Sequence, residues 1–308
     1  MKTTTETGIN QRRKNFANAV LIALIIVHLV SLLGFYTGIS WTAFVAFLGL
    51  YIIRGLGITM GYHRYFAHKS FKTNRFFQFI LGLMGSMAVQ GGILWWVSHH
   101  REHHRYTETE DDIHSPVAHG FWQSHIGWLT NKKAFNAPKI RANDFAKIPE
   151  IKFLQKQYVF IQVLQVLGLF SLGSYLQAAF PQLETSGAQL LVWGFFINTV
   201  ALWHSTFAVN SICHVWGKEP YEANDTSKNN FIVALLAFGE GWHNNHHKFA
   251  TSARHGLEWW QFDMTFITLR FLEAFGIVSH LKIPTQEQLA AKRQKNNSLK
   301  TSYQMEVN

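Results

Sequence analysis

The stretch F-F-Q-F-I-L-G-L-M-G-S-M-A-V-Q-G-G-I-L-W-W-V (76–97) carries no charged residue, and it meets the roughly 20 apolar residues that a bilayer-crossing helix needs. How it is read decides the fold. Just before it stands H-R-Y-F-A-H (63–68), and just after it H-R-E-H-H (100–104). A crossing would put these two histidine groups on opposite sides of a membrane, where they could not share a site. The run also holds Gly82, Gly85, Gly91 and Gly92, and glycines weaken a free-standing helix. We therefore read it as a helix lying in the membrane interface or buried beneath a cap. The shorter apolar segment within 229–241 is read as a similar interfacial element.

Nine of the 17 histidines fall into four tight clusters: His63 and His68; His100, His103 and His104; His214; and His243, His246 and His247. H-R-E-H-H and H-N-N-H-H (243–247) repeat the offsets i, i+3 and i+4. At about 100° per residue each triplet sets three imidazoles on one narrow helix face. The five-residue step from His63 to His68 would leave that pair about 140° apart on a regular helix, which predicts an irregular or terminal turn. Asn210, four residues before His214, shares its face and is placed to hold a metal-bound water. A tetrahedral ion takes about four ligands, so nine imidazoles point to two metals. Imidazole donors with hardly any thiol suit iron, copper, zinc or nickel rather than magnesium or calcium. The other histidines, His28, His99, His114, His119, His125, His204, His255 and His280, are read as ordinary surface or core groups.

Of the 308 residues, 48% are hydrophobic and 15% charged, well below the ~25% charge of a soluble domain. The one cysteine, Cys213, excludes an internal disulfide framework and any C-x-x-C motif. Four further apolar runs, 16–36, 41–62 (interrupted only by Arg54), 158–180 and 188–209, approach or exceed spanning length. Short loops at 37–40 and 181–187 join them into two antiparallel hairpins. Neither loop carries Lys or Arg, whereas Arg12, Arg13 and Lys14 precede the first run. The positive-inside rule then puts both loops outside, and the termini, the central segment and all nine histidines on the cytoplasmic side. No cleavable signal peptide is expected, because the first run is long enough to span and lacks a small-residue cleavage site.

The net charge of +10 becomes mostly a property of the cytoplasmic face, suited to anionic membrane lipid. No basic recognition module is visible, so no nucleic acid is expected. Residues 1–15 and 285–308 read as polar tails around a single domain, 16–284. The fold class is an all-α integral membrane protein: four transmembrane helices in two hairpins, with a cytoplasmic helical cap that carries the metals.

Taken together, H-R-Y-F-A-H (63–68), H-R-E-H-H (100–104), N-S-I-C-H (210–214) and G-E-G-W-H-N-N-H-H (239–247) resemble the membrane fatty-acid desaturases of the Δ9 acyl type. These are the stearoyl-CoA desaturase group and its bacterial and cyanobacterial relatives. G-F-W-Q-S-H-I-G-W-L (120–129) and S-A-R-H-G-L-E-W-W-Q-F-D (252–263) add to the likeness, which covers roughly residues 21–284. N-S-x-x-H is the element most specific to Δ9-type enzymes.

The resemblance implies a non-haem di-iron centre on the nine histidines, with Asn210 engaging it through water. It assigns His63, His68, His100, His104 and His247 to one iron, and His103, His214, His243, His246 and the water on Asn210 to the other. It implies O2 as co-substrate and a cis double bond, chiefly at C9, in a saturated acyl chain that is either CoA- or lipid-linked. Trp96 and Thr206 match positions that shape a bent acyl tunnel, with Gln90 nearby. Asp112, Glu240 and Glu108 are candidates to orient ligand imidazoles, and Asp112 and His114 resemble a polar segment that follows the second box. Arg64 and Arg254 stand beside boxes, where an acyl carrier's phosphate or the lipid face would lie.

Electrons are expected from a separate donor, such as a ferredoxin or a cytochrome b5-like protein with its reductase, and a basic face suits an acidic donor. In a bacterium the setting would be the plasma (inner) membrane. Three rival readings use the same residues. A di-iron lipid hydroxylase or alkane monooxygenase is one, and N-S-I-C-H argues against it. A histidine-rich membrane metal transporter is another, and it predicts polar ligands within the spans. The third is a catalytically silent membrane scaffold, which would tolerate loss of His103 or His246.

Overall fold

The computed structural model describes residues 2–135 and 138–293. Helix α1 (Lys2–Ser31) begins inside the segment read as a polar tail, and with the turn Gly34–Thr37 it completes the first candidate span, Arg13–Thr37. Ser40 then caps α2 (Trp41–Ala67), its hydroxyl accepting from the Ala43 N–H. The cap that follows contains α3 (Arg75–Met87), α4 (Ile93–Tyr106), α5 (Phe121–His125) and α6 (Pro149–Lys156). A second hairpin, α7 (Tyr158–Ala179) and α8 (Gly187–Val215), leads to α9 (Phe231–Leu236), α10 (His243–Lys248) and α11 (Met264–Ala274). Strands β1 (Lys72–Thr73) and β2 (Val278–Ser279) pair antiparallel and tie the end of α11 to the link between α2 and α3. Helix α12 (Gln286–Lys292), with a capping box of Thr285 and Gln288, occupies part of the segment read as the second tail. Residues 294–308 of that tail lie outside the described residues.

The four long helices divide into two kinds. Within the apolar stretch of each span, 17% of the first and 6% of the third are buried, against 44% and 50% of the second and fourth. So α2 and α8 are the inner pair, and α1 and α7 turn most of their surface outward. Both inner helices contain π-helical sections, Gly57–Ala67 and Val192–Ile197. Between them Arg54 is fully buried. Its guanidinium donates to Gln165 Oε1 (2.7 and 3.1 Å), Asn198 Oδ1 (2.9 Å) and Thr199 Oγ1 (3.2 Å). A charge interrupting an apolar run is thus accommodated by neutral acceptors from α7 and α8.

The 76–97 run is not one continuous helix but two, α3 and α4, joined by a turn. Capped by Asn74, α3 runs antiparallel to the π section of α2. The Tyr65 hydroxyl meets Gln78 Oε1 (2.9 Å), Gly61 faces Leu81, and Gly57 faces Met84 and Gly85. A methyl on Gly57 would lie 2.2 Å from the Met84 carbonyl carbon, and one on Gly85 2.3 Å from the Tyr62 ring. Only glycine lets the two backbones approach this closely.

The chain then reverses at 88–92, where Val89 (φ 59°) and Gly91 (φ 94°) are left-handed, and α4 returns toward the histidines. The Trp203 indole N–H donates to Val89 O (2.9 Å), and the Gly91 N–H donates to the Tyr158 hydroxyl (2.9 Å). Trp203 stands eleven residues before His214, about 16 Å along a helix. The segment is therefore a helix–turn–helix hairpin whose turn packs against α7 and α8.

The 229–241 segment packs against α2. The Tyr51 hydroxyl donates to Leu236 O (3.0 Å), and its ring lies 5.5 Å from that of Phe238. Tyr51 is twelve residues before His63, about 18 Å along a helix. Phe231, Ile232, Leu235 and Leu236 point outward from this element.

Candidate metal centre

Two groups of ring nitrogens converge at the histidine end of α2 and α8. His63, His68, His100, His104 and His246 form one, and His103, His214, His243 and His247 the other. In each, one nitrogen per residue lies within 4.8 Å of all the rest. His63 and His68 meet because the π section widens the turn: the His68 N–H bonds to His63 O, five residues back, at 3.1 Å. Their rings end 4.8 Å apart, where an α-helix would have splayed them.

Within the first group the Nε2 atoms of His68 and His100 are 2.7 Å apart, those of His104 and His246 2.8 Å, and those of His63 and His246 3.1 Å. In the second, His214 and His243 are 3.1 Å apart and His103 and His247 3.3 Å. Nine converging imidazole nitrogens without a thiol are the donor set of borderline divalent transition metals.

The ligand division differs from the expected one by a single exchange. His246 joins His63, and His247 joins His103. On α10 these neighbours diverge by about 100°, so they face opposite groups. His243 and His247, at i and i+4, share a face, and their rings are 4.2 Å apart.

A cavity of about 570 Å³ adjoins both groups, touching His63, His100, His243 and Asn210. Gln90, Trp96 and Thr206 also line it, with Leu24, Val27, Trp203 and Phe207. Trp96 stacks on His100 at 5.1 Å, and Gln90 Nε2 donates to Thr206 Oγ1 at 2.9 Å. The wall is largely apolar, with polar groups at the histidine end, at the Gln90–Thr206 pair and on the side formed by Gln155, Lys156, Tyr158 and Gln162.

Residues 39–278 match the family model described as "Fatty acid desaturase". Over 282 residues the chain is 42% identical to an icosanoyl-CoA 5-desaturase of Limnanthes douglasii, covering 89% of this chain and 74% of the relative. It is 42% identical over 265 residues to an sn-1 stearoyl-lipid 9-desaturase of Anabaena variabilis, covering 85% and 92%. This chain belongs to the membrane fatty acid desaturases. A palmitoyl-monogalactosyldiacylglycerol delta-7 desaturase of Arabidopsis thaliana, chloroplastic, is 40% identical over 276 residues, covering 88% and 70%. The double-bond positions in these names differ, so the family is fixed while the position is not.

In this desaturase the second nitrogen of several clustered histidines meets a carboxylate, an arrangement that orients a ligand ring and makes it more basic. Asp112 accepts from His103 Nδ1 (2.9 Å) and from His114 Nδ1 (2.8 Å). Glu240 pairs with His63 and with Arg64 (3.1 Å). Glu108 stands 3.7 Å from His214 Nδ1. Asp225, which sequence reasoning missed, lies 2.6 Å from His247 Nδ1. Burial works against the charge on Asp112 and Asp225. The imidazoles facing them, His103 and His114 for one and His247 for the other, nevertheless hold both carboxyls well below the ordinary range.

Several histidines read as ordinary are not bystanders. His255 is buried 4.5 Å from the His246 ring and 3.5 Å from Glu240. His28, His204 and His125 form a hydrogen-bonded chain, with Nε2–Nε2 at 3.0 Å and His204 Nδ1–His125 Nε2 at 2.9 Å. Arg64 is fully buried and bonded to Ala253 O, Asp263 and Glu240, so it does not reach a carrier phosphate or the lipid face. Arg254 turns inward to the Gly256 and Glu258 carbonyls.

Proposed function

We propose that this desaturase uses two iron ions on the nine clustered histidines, with Asn210 engaging one through water, to place a cis double bond in a saturated acyl chain. The cavity carries the reading. It adjoins both nitrogen groups and is otherwise walled by side chains such as Leu24, Val27 and Phe207, company for a hydrocarbon rather than for a metal ion in transit. Acids and bases cannot remove hydrogen from an unactivated methylene, and iron with O2 and two electrons supplies that oxidising power. The protein's own part is positioning, because every methylene in the chain is chemically alike. We assign that part to Trp96 against His100 and to the Gln90–Thr206 hydrogen bond.

We place the double bond at C9, the position in the names of the cyanobacterial relatives and of one from Arabidopsis. The acyl group arrives as a CoA thioester or as an ester of a membrane lipid. Arg13 and Lys14 stand at the start of the first span, and loops 37–40 and 181–187 carry no Lys or Arg. On the positive-inside rule the histidine end faces the cytoplasm, where a ferredoxin or cytochrome b5-like donor would deliver electrons.

Expression in a host deficient in unsaturated fatty acids, followed by chromatography of its lipids, tests the reading. New cis-monoenes, chiefly at C9, are expected, and His103→Ala or His246→Ala abolishes them. Hydroxylated chains in their place would favour the hydroxylase. An unchanged lipid profile from folded, iron-loaded protein with a competent donor would sink the assignment.

A further inference from the structure

Among the described residues, the carboxylates that face the clustered imidazoles are divided unequally. Behind the four-histidine group stand three: Asp112 at 2.9 Å from His103, Asp225 at 2.6 Å from His247, and Glu108 at 3.7 Å from His214. The last distance is too long for a hydrogen bond, so Glu108 acts there as charge alone. Behind the five-histidine group stands Glu240, paired with His63. Arg64 lies 3.1 Å from Glu240 and 3.0 Å from Asp263. Two carboxylates and one guanidinium leave that cluster one net negative charge, against three for the other. His246 Nδ1 in the five-histidine group and His214 Nδ1 in the four-histidine group are each buried with no hydrogen-bond partner.

We propose that the two metal positions are unequal, and that Asp225, Asp112 and Glu108 make the four-histidine position the one that binds its divalent metal more tightly. The cause is electrostatic. Nearby anions stabilise a bound dication, and we weigh three of them above the one additional neutral imidazole of the other group. A carboxylate on the distal N–H also fixes the ligand ring and raises its basicity, and removing such a partner typically weakens binding 10- to 100-fold. Three carboxylates stand on one side, and one partly neutralised carboxylate stands on the other. The proposal rests on reading the histidine groups as a two-metal site, and it is independent of which bond in the acyl chain reacts.

Cobalt(II) titrated into metal-depleted, full-length protein in detergent tests it, with bound metal counted by elemental analysis and followed by its d–d absorption. The wild type is expected to show two binding classes of one equivalent each. Asp225→Asn keeps the side-chain shape and removes the charge, so it weakens the tighter class roughly 10- to 100-fold and leaves the looser one in place. Glu240→Gln weakens only the looser class. Glu108→Gln is the second variant for the tight side should Asp225→Asn fold poorly, and it moves the same class. Two equivalents binding with a single affinity, or Asp225→Asn shifting the looser class, overturns the inequality and leaves a two-metal desaturase standing. Failure to bind cobalt at all overturns both.

Discussion

His246 and His247 are chain neighbours that serve different nitrogen groups, and the cause is angular. One residue of helix turns a side chain by about 100°, whereas four residues bring it nearly back. The i, i+4 pairs His100/His104 and His243/His247 therefore stay together, and the third member of each triplet goes to the other group. Helix geometry is local, so the spacing held this split, yet the likeness to known desaturases put His246 and His247 the other way round. Asp225 and His255 were not legible in the spacing, because they reach the centre from irregular chain with no period to mark them.

The crowding itself has a consequence. His243 and His246 are buried and His68, His100 and His104 partly so, and desolvation first, then mutual repulsion, holds each well below its ordinary value near 6.5. Folded, they stay neutral; unfolded, they titrate near 6.5. The unfolded chain thus takes up protons first as pH falls. Their contribution to stability is complete above about 6.5 and is lost progressively below it. The unfolding temperature of the metal-depleted protein in detergent should fall steadily between about pH 7.5 and 5.5, and a flat or rising trend toward acid would contradict this account.

At the scale of elements, hydropathy and chemistry pull apart over 76–97. The run is long and apolar enough to span, yet the chain breaks at 88–92 and turns back, and that keeps both histidine groups together. Its glycines were visible in sequence, but their purpose was not. They are contact points for another backbone, and that partner is distant in the chain.

Arg54 poses the converse problem, a visible charge whose partners lie more than a hundred residues away. Arg54→Leu would strand Gln165, Asn198 and Thr199, at about 1–3 kcal/mol for each unpaired polar group. Thermal unfolding in detergent should drop sharply, and Arg54→Lys should recover only part of the loss, since one ammonium cannot match the fork of bonds.

The His28–His204–His125 chain is a second such tie. Leu24 O can only accept from His28 Nδ1 (2.7 Å), so His28 Nε2 accepts from His204. His204 Nδ1 in turn accepts from His125, and His125 Nδ1 faces Ser211 Oγ at 2.8 Å. Neutral rings satisfy every link and bind α1 to α8 and α5. His204→Phe should cost about 1–3 kcal/mol and expose α1 to proteolysis first; unchanged digestion would show that apolar packing alone holds α1.

The cavity belongs to the whole molecule, since α1, α4, α7 and α8 each supply part of its wall. That is why only Gln90, Trp96 and Thr206 could be named from the likeness to known desaturases, while the α1 side was invisible. Among its lining residues Phe16 and Val159 are 57% and 70% exposed. They stand on the two outward-facing spans, so the space reaches the surface where lipid chains would lie. If the acyl group arrives as an ester of a membrane lipid, as proposed above, it would enter there sideways without leaving the bilayer. Val159→Trp would narrow this portal far from the histidines. Desaturation of lipid-linked chains should fall roughly 10- to 100-fold, as for other losses of positioning, with bound metal unchanged. A short, water-soluble acyl thioester need not pass between α1 and α7, so its turnover should fall less. Equal losses for both substrates would mean that the acyl chain reaches the metals by another route, and metal loss would mean that the substitution disturbs the fold rather than the entrance.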